Sequence, residues 1–466
     1  MFRKLVFVLS LFVLLSCLLY VRVNQAEVNA LDSNHVHNIN TGINYTTIQE
    51  AINAPQTVDE HTIHVDPGTY YEHIVLNKSV SLVGENAETT IIDGNEAGTV
   101  VIIEADNARI SNFTIQRSGI TDGSGIRIGS LSSNNAVSYN ILKGNLYGIV
   151  TNTEDNTFAY NDISSNSYGI LLLLGSKRNA VVGNIISSNL YGIWCEYSSN
   201  NSIMGNIIVN NNQCGIWLSR SNSSRIYGNN FVDNLPQMSV LNSFNFLSNS
   251  FEGNYWSDYN GSDSNNDGIG DLPKTVDVNN KDSYPLMGMF FIFKTSFGYY
   301  VTVISNSTIE DFEYSVSNRT IKIIVSNMTK HQNHGFCRLK IPHALSSPPY
   351  TITINNKSMP YTTINENDTT SIIYFSYEHS TLEIVIISKI SNDLTFTIFI
   401  VVTSIIIILA AGMLLATIVR KRKMSSSVRK NTVETRSNLC GEAIAPNLIY
   451  PNNCMQLMNK SKSSYT

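Results

Sequence analysis

One feature constrains this chain before any other: a repeat of roughly 22 residues that carries the same side chains at the same places. Gly125-Ile126, Gly148-Ile149, Gly169-Ile170, Gly192-Ile193 and Gly215-Ile216 follow one another at steps of 23, 21, 23 and 23 residues. Asn140, Asn161, Asn184, Asn206 and Asn229 keep steps of 21, 23, 22 and 23. Five residues after each stands another Asn, at 145, 166, 189, 211 and 234. Five before stand Asn135, Asn156, Asn179, Asn201 and, out of pattern, Ser224. Asn107/Asn112 and Asn249/Asn254 carry the five-residue spacing to both ends.

A unit of this length, too short to bury a core alone, is stable when copies stack. Three short strands joined by bends, repeated at the inter-strand spacing of about 4.8 Å, place equivalent residues on top of one another. Asn suits the bends and can bond both to backbone and to its stacked copies. Gly is read as the residue that permits the backbone at a tight corner. Three apolar columns then point inward. The first is Val137, Phe158, Val181, Ile203 and Ile226. The second is Leu142, Ile163, Ile186, Ile208, Phe231 and Trp256, and the third is Ile126, Ile149, Ile170, Ile193 and Ile216. Each buried Ile or Leu contributes about 1.5–3 kcal/mol. Trp256, last in its column, is read as a plug for the open end. The expected fold is therefore all-β: a parallel β-helix over 43–257, opened by a short capping helix at Thr47–Ile52. Strands are read at Ile63–Val65, Pro67–Tyr70, Ile74–Leu76 and Val80–Gly84.

Beyond the repeat, residues 258–288 form an acidic closing motif. Strand-like runs at Tyr299–Ile304, Thr320–Val325, Phe336–Ile341, Tyr350–Ile354, Ser371–Phe375 and Leu382–Ile387 predict a small β-sandwich over 290–390. Both ends carry membrane signals. Arg3 and Lys4 precede the apolar run Leu5–Val21, which reads as a signal peptide over 1–30. Leu394–Val419 is long and apolar enough for a transmembrane helix and is followed by Arg420-Lys421-Arg422-Lys423. The positive-inside bias puts the tail 420–466 in the cytoplasm and residues 31–393 outside, in a single-pass cell-membrane protein. The tail is Ser/Asn/Lys-rich without periodicity and is expected to be disordered. Within residues 31–393, eleven Asn-x-Ser/Thr sequons, at Asn44, Asn77, Asn112, Asn200, Asn222, Asn260, Asn306, Asn318, Asn327, Asn356 and Asn367, agree with an extracellular glycoprotein. Charged residues are 14 % of the chain and the formal net charge is −5, which argues against a nucleic-acid partner.

The stretch from Thr46 to Ala54, the run from His61 to Asn86, the Asn/Gly-Ile repeat, and the segment from Gly253 to Met287 together resemble the NosD-like family. The resemblance covers about residues 43–288. It implies a right-handed parallel β-helix of the kind labelled periplasmic copper-binding or carbohydrate-binding/sugar-hydrolysis repeat, and the version with a sandwich and terminal membrane helix is similar to archaeal proteins. The copper label comes from an accessory role of the family in nitrous-oxide reductase maturation.

Two sites are expected. Asp263-x-Asn265-x-Asp267-Gly268-Ile269-x-Asp271 alternates oxygen ligands around a glycine, as Ca²⁺ loops do, giving a structural Ca²⁺ site at Asp263, Asn265, Asp267, Ile269 and Asp271. Lys274 replaces the Glu of an EF-hand, so the loop is similar to the shorter loops of thrombospondin-type or dockerin repeats. The second site is the outward stripe two residues after each corner glycine: Arg127, Val150, Leu171, Trp194 and Trp217. Trp194 and Trp217 stack there, with Arg127 and Glu196 nearby, as a surface for glycan or cell-envelope polymer. The competing reading is that the stripe packs against the C-terminal domain or another subunit. Copper finds little support. His35-x-His37, His61, His64, His73 and His331-x-x-His334 show no tight Cys/His/Met cluster in sequence. Catalysis finds little support either, since the stripe lacks a carboxylate pair and Asn152-Thr153-Glu154-Asp155 lacks the partner motifs of a polygalacturonase. Non-catalytic recognition is favoured, with a carbohydrate-active enzyme or a copper-handling accessory protein as alternatives. Cys195 is read as a core filler that forms no bridge with Cys214.

Overall fold

The computed structural model describes residues 35–295, 298–378 and 380–388. The segments 1–30, Leu394–Val419 and 420–466 lie outside these residues, and with them the expected signal peptide, membrane helix and tail. Among the described residues no helix is long and apolar enough to cross a membrane.

The repeat folds as a parallel β-solenoid of about eight turns. It has three faces. Face A runs from Thr62–Val65 through Ala136–Ser138 to Arg225–Tyr227. Face B runs from Gly68–Tyr70 through Ile141–Lys143 to Tyr255–Trp256. Face C runs from Ile74–Leu76 through Tyr147–Thr151 to Met238–Leu241. The pairings put Val137 on Phe158, Leu142 on Ile163 and Ile149 on Ile170. Every member of the three inward columns is at most 1 % exposed. Helix α1, Ile48–Asn53, buries Ile48, Ala51 and Ile52 against the first turn, and the Thr47 side chain accepts the Glu50 N–H as its N-cap. A hairpin of Val36–Asn38 and Ile43–Tyr45 is added antiparallel to the edge of face A.

The bends hold three asparagine ladders. In the middle one, each Asn Oδ1 accepts the backbone N–H of the Asn one turn earlier: Asn140 to Asn161 at 3.0 Å, Asn161 to Asn184 at 2.9 Å, and on through Asn206 and Asn229 to Asn254. Each amide nitrogen also donates to a carbonyl of the earlier turn, as Asn184 does to Phe158 at 2.8 Å. Polar groups with no access to water are thereby paired turn after turn. Ser224 joins its ladder through Oγ. The residue before each ladder position adopts a left-handed backbone: Tyr139, Tyr160, Gly183, Gly205 and Gly228 in one series.

This geometry corrects two expectations. Asn107 and Asn112 are left-handed residues one place short of the ladders, where Ala108 and Phe113 stand, and Asn249 caps its own turn while Asn245 continues the ladder. The corner glycines are not needed for a left-handed backbone either. A Cβ on Gly148 would lie 2.5 Å from the Gly169 carbonyl oxygen, and one on Gly192 2.5 Å from that of Gly215. Close approach of stacked turns selects glycine there.

The second column ends as expected. Trp256 is 1 % exposed and its ring stacks on Phe231 with centroids 4.3 Å apart. Beyond it, two five-stranded antiparallel sheets face each other across one core that includes Val303, Ile323, Leu339, Phe375 and Ile384. All six strand runs read from sequence are strands, and Met289–Lys294, Thr308–Ser315, Lys357–Met359 and Thr362–Glu366 join them. The first of these strands lies on face B. Asn230 receives the Phe290 N–H at 2.7 Å and donates to the Phe290 carbonyl at 2.8 Å, while Met289, Phe291 and Met328 cover Ile185 and Ile207.

Candidate functional site

Because the antiparallel sheets dock on face B, they leave face C uncovered, so the stripe does not pack against them. Along face C the registers stack Arg127, Val150, Leu171, Trp194, Trp217 and Ser239 in one outward column. Alternation sends the neighbours Ile193 and Cys195 into the core. Cys195, Cys214 and Cys337 are unbridged, and burial pushes the Cys195 thiol up to about 12.

Trp194 and Trp217 stack with ring centroids 5.2 Å apart and planes 22° from parallel. A second aromatic column stands beside them. Tyr147, Tyr168 and Tyr191 occupy the position before three of the five corner glycines, with centroids 5.3 and 5.2 Å apart. Trp194 meets Tyr168 and Tyr191 edge-on, at 71° and 78°. The two sets of rings are thus nearly perpendicular, and the flank offers ring faces in two directions. Both Trp residues and all three tyrosines are half-buried, which is less exposed than an outward stripe suggests. The indole Nε1 atoms of Trp194 and Trp217 are buried without a hydrogen-bond partner in the protein, so the accessible part of each ring is hydrocarbon. Burial raises the Tyr168 phenol, with Tyr191 and Tyr147 adding to it.

Glu196 lies two residues beyond Trp194 on the same strand face, and Ser219 is its partner on the next turn. It lines a shallow groove with Asn152, Leu173, Leu174 and Tyr197. Arg220 covers the Tyr197 ring at 5.2 Å. Arg127 stands three turns from Trp194, about 14 Å at the inter-strand spacing, and is tied to Asp122 at 3.0 Å. The structure therefore brings Trp194, Trp217 and Glu196 together and sets Arg127 apart in a groove with Thr99 and Thr121. The tyrosine column was available in sequence as Tyr-Gly-Ile three times over.

The acidic loop closes on itself. Asp263 accepts the Asp267 and Gly268 N–H groups at 3.0 and 2.8 Å, Asp267 accepts that of Ile269 at 2.8 Å, and Asp271 accepts from Ser262 and Ser264. Asn265 donates to Asp267 at 3.3 Å. The hydrogen bonds to Ser264 and Ser262 hold the Asp271 carboxyl below its ordinary value. Arg338 of the antiparallel sheets donates to the Asp267 carbonyl at 2.9 Å, and Phe336 packs with Ile269. Each of the three carboxylates thus accepts hydrogen bonds from within the loop. Among the described residues no three His, Cys, Asp or Glu side chains are already gathered at metal-binding distances.

Residues 55–261 match the family described as periplasmic copper-binding protein (NosD). This segment is similar to that family and folds as a parallel β-solenoid. The match spans most of the solenoid turns and stops just before the acidic loop. A cell surface glycoprotein of Methanothermus fervidus is 40 % identical over 80 residues, which are 17 % of this chain and 13 % of that relative. The chain thus matches only a small part of the relative's length. Among solved structures, a pectin methylesterase from Yersinia enterocolitica gives a TM-score of 0.31 at 12 % identity, over 45 % of this chain and 93 % of its own. The Dettilon tailspike protein gives 0.29 at 11 %, over 70 % and 86 %.

Proposed function

We propose that this chain is an extracellular surface protein that recognises a glycan or cell-envelope polymer along face C, without chemical conversion of it. The observation that carries the reading is the paired Trp194 and Trp217 beside the tyrosine column, with Glu196 on the same face. Aromatic faces stack on the C–H faces of sugar rings, and a carboxylate beside them accepts from sugar hydroxyls. The rings from Tyr147 to Trp217 span three turns, about 14 Å, which favours an extended polymer over a single sugar.

An extracellular setting is supported independently. None of the eleven sequon asparagines is buried, whereas the ladder asparagines are. The name of the Methanothermus relative, cell surface glycoprotein, agrees with this setting. The apolar run Leu394–Val419 is the proposed anchor. The test is a glycan array that includes cell-envelope polysaccharides, read with the full chain. Selective retention on extended glycans is expected. Failure to retain any glycan or envelope fraction overturns the reading.

A further inference from the structure

We infer that the outer surface of the first turn is a binding site for one divalent transition-metal ion of the Zn²⁺ type, held by His35, His37, His64 and Asp66. His37 pairs with His64 across the antiparallel edge of face A, and the Asp66 N–H donates to the His35 carbonyl, so residues 35 and 37 face residues 64 and 66. Val36, Asn38, Ile63 and Val65 point inward and are fully buried. Alternation therefore turns three imidazoles and one carboxylate to the same outer patch.

The nitrogens converge on Asp66. His37 Nε2 is 3.0 Å from Oδ2, His35 Nδ1 is 3.8 Å from Oδ2, and His64 Nδ1 is 3.8 Å from Oδ1. Metal–nitrogen bonds of about 2.0–2.1 Å in a tetrahedron set ligand atoms roughly 3.3 Å apart. Two of the three nitrogens thus lie about half an ångström farther from Asp66 than that spacing.

The outer partners select the same atoms. The second nitrogen of His37 meets Asn44 Oδ1 at 2.9 Å, and His64 Nε2 meets Glu85 Oε2 at 2.9 Å. In the tautomer in which each partner takes the N–H of its ring, the other nitrogen's lone pair faces Asp66. A lone pair and a carboxylate oxygen at 3.0 Å repel unless a proton or a metal ion stands between them. A carboxylate or amide behind a ligating imidazole is also how metal sites fix the ring. The rings are 28–52 % exposed, open to an ion from solution. His35 and His37 precede residues 55–261, so the cluster extends beyond the family match.

The test is calorimetric titration of the full chain with Zn²⁺, with X-ray absorption at the zinc edge. One ion per chain is expected, with a nitrogen/oxygen shell at about 2.0–2.1 Å. His37→Ala and His64→Ala should each weaken binding more than about tenfold. Glu85→Gln, at an exposed position that leaves the fold intact, should weaken it about tenfold. His73→Ala, whose ring bonds the Thr99 carbonyl outside the cluster, should leave it unchanged. No uptake by the full chain would mean that a proton alone fills the gap and would overturn the proposal. Uptake that survives both His37→Ala and His64→Ala would overturn it as well.

Discussion

The Trp256 indole Nε1 donates to Oδ2 of Asp282 at 2.8 Å, and that oxygen also accepts the Asn254 backbone N–H at 2.7 Å. In each earlier turn of the middle ladder this N–H is accepted by the next asparagine. Asp282 therefore ends the ladder and satisfies the polar edge of the plug in one contact. A solenoid needs such an end, because its last turn has no neighbour to cover it.

Burial pushes the Asp282 carboxyl up to about 6, even though the donors from Trp256, Asn254 and Tyr284 favour its ionised form. A carboxyl with a raised folded value binds more protons in the folded than in the unfolded state between about pH 4 and pH 6. Its contribution to stability falls as pH rises through that window and is flat above it. Denaturant midpoints at pH 4.5 and pH 7 should show this loss in the native chain, about 1–3 kcal/mol. Asp282→Asn should remove that part of the pH dependence. An unchanged pH profile in Asp282→Asn would contradict the assignment.

The ladders make a second prediction. Asn184 accepts from Asn161 and donates to Phe158, all out of reach of water. Asn184→Ala leaves buried donors and acceptors unpaired and should cost about 2–4 kcal/mol in a urea unfolding experiment. Asn77→Ala, on an exposed bend, should stay within about 0.5 kcal/mol.

Two glycines separate close approach from backbone conformation. Gly192→Ala drives a Cβ to 2.5 Å from the Gly215 carbonyl oxygen and should cost about 3 kcal/mol or prevent folding. Gly144 has a φ of +64° and open space around its Cβ position. Gly144→Ala should cost only the left-handed penalty of about 1 kcal/mol, measured by the same unfolding.

The solenoid was legible in sequence because stacking imposes one side chain on one place in every turn. Ile149, Ile170 and Ile193 could be placed in a column from spacing alone, and so could Trp256 as the plug. Legibility failed where the period breaks. Asn249 sits at the right spacing but Asn245 takes the ladder, because the last turn is cut short by its own cap. Tyr147, Tyr168 and Tyr191 precede three of the five corner glycines, yet they went unread beside the more conspicuous tryptophans. Docking on face B depends on Asn230 replacing a column of Ile185 and Ile207, a single substitution with no periodic signal. His37 and His64 meet only because Val36–Asn38 runs antiparallel to Thr62–Val65, whereas the later strands of face A pair parallel.

The proposed glycan recognition by face C rests on Trp194 and Trp217. Its most direct test compares the native chain with a Trp194→Ala/Trp217→Ala double variant on the same glycan array. Both side chains lie outside the core columns, so the solenoid fold should survive, as far-UV circular dichroism would check. A loss of apparent affinity of about tenfold or more, equivalent to about 1.4 kcal/mol or more, is expected. A glycan signal that survives the double substitution undiminished would contradict it.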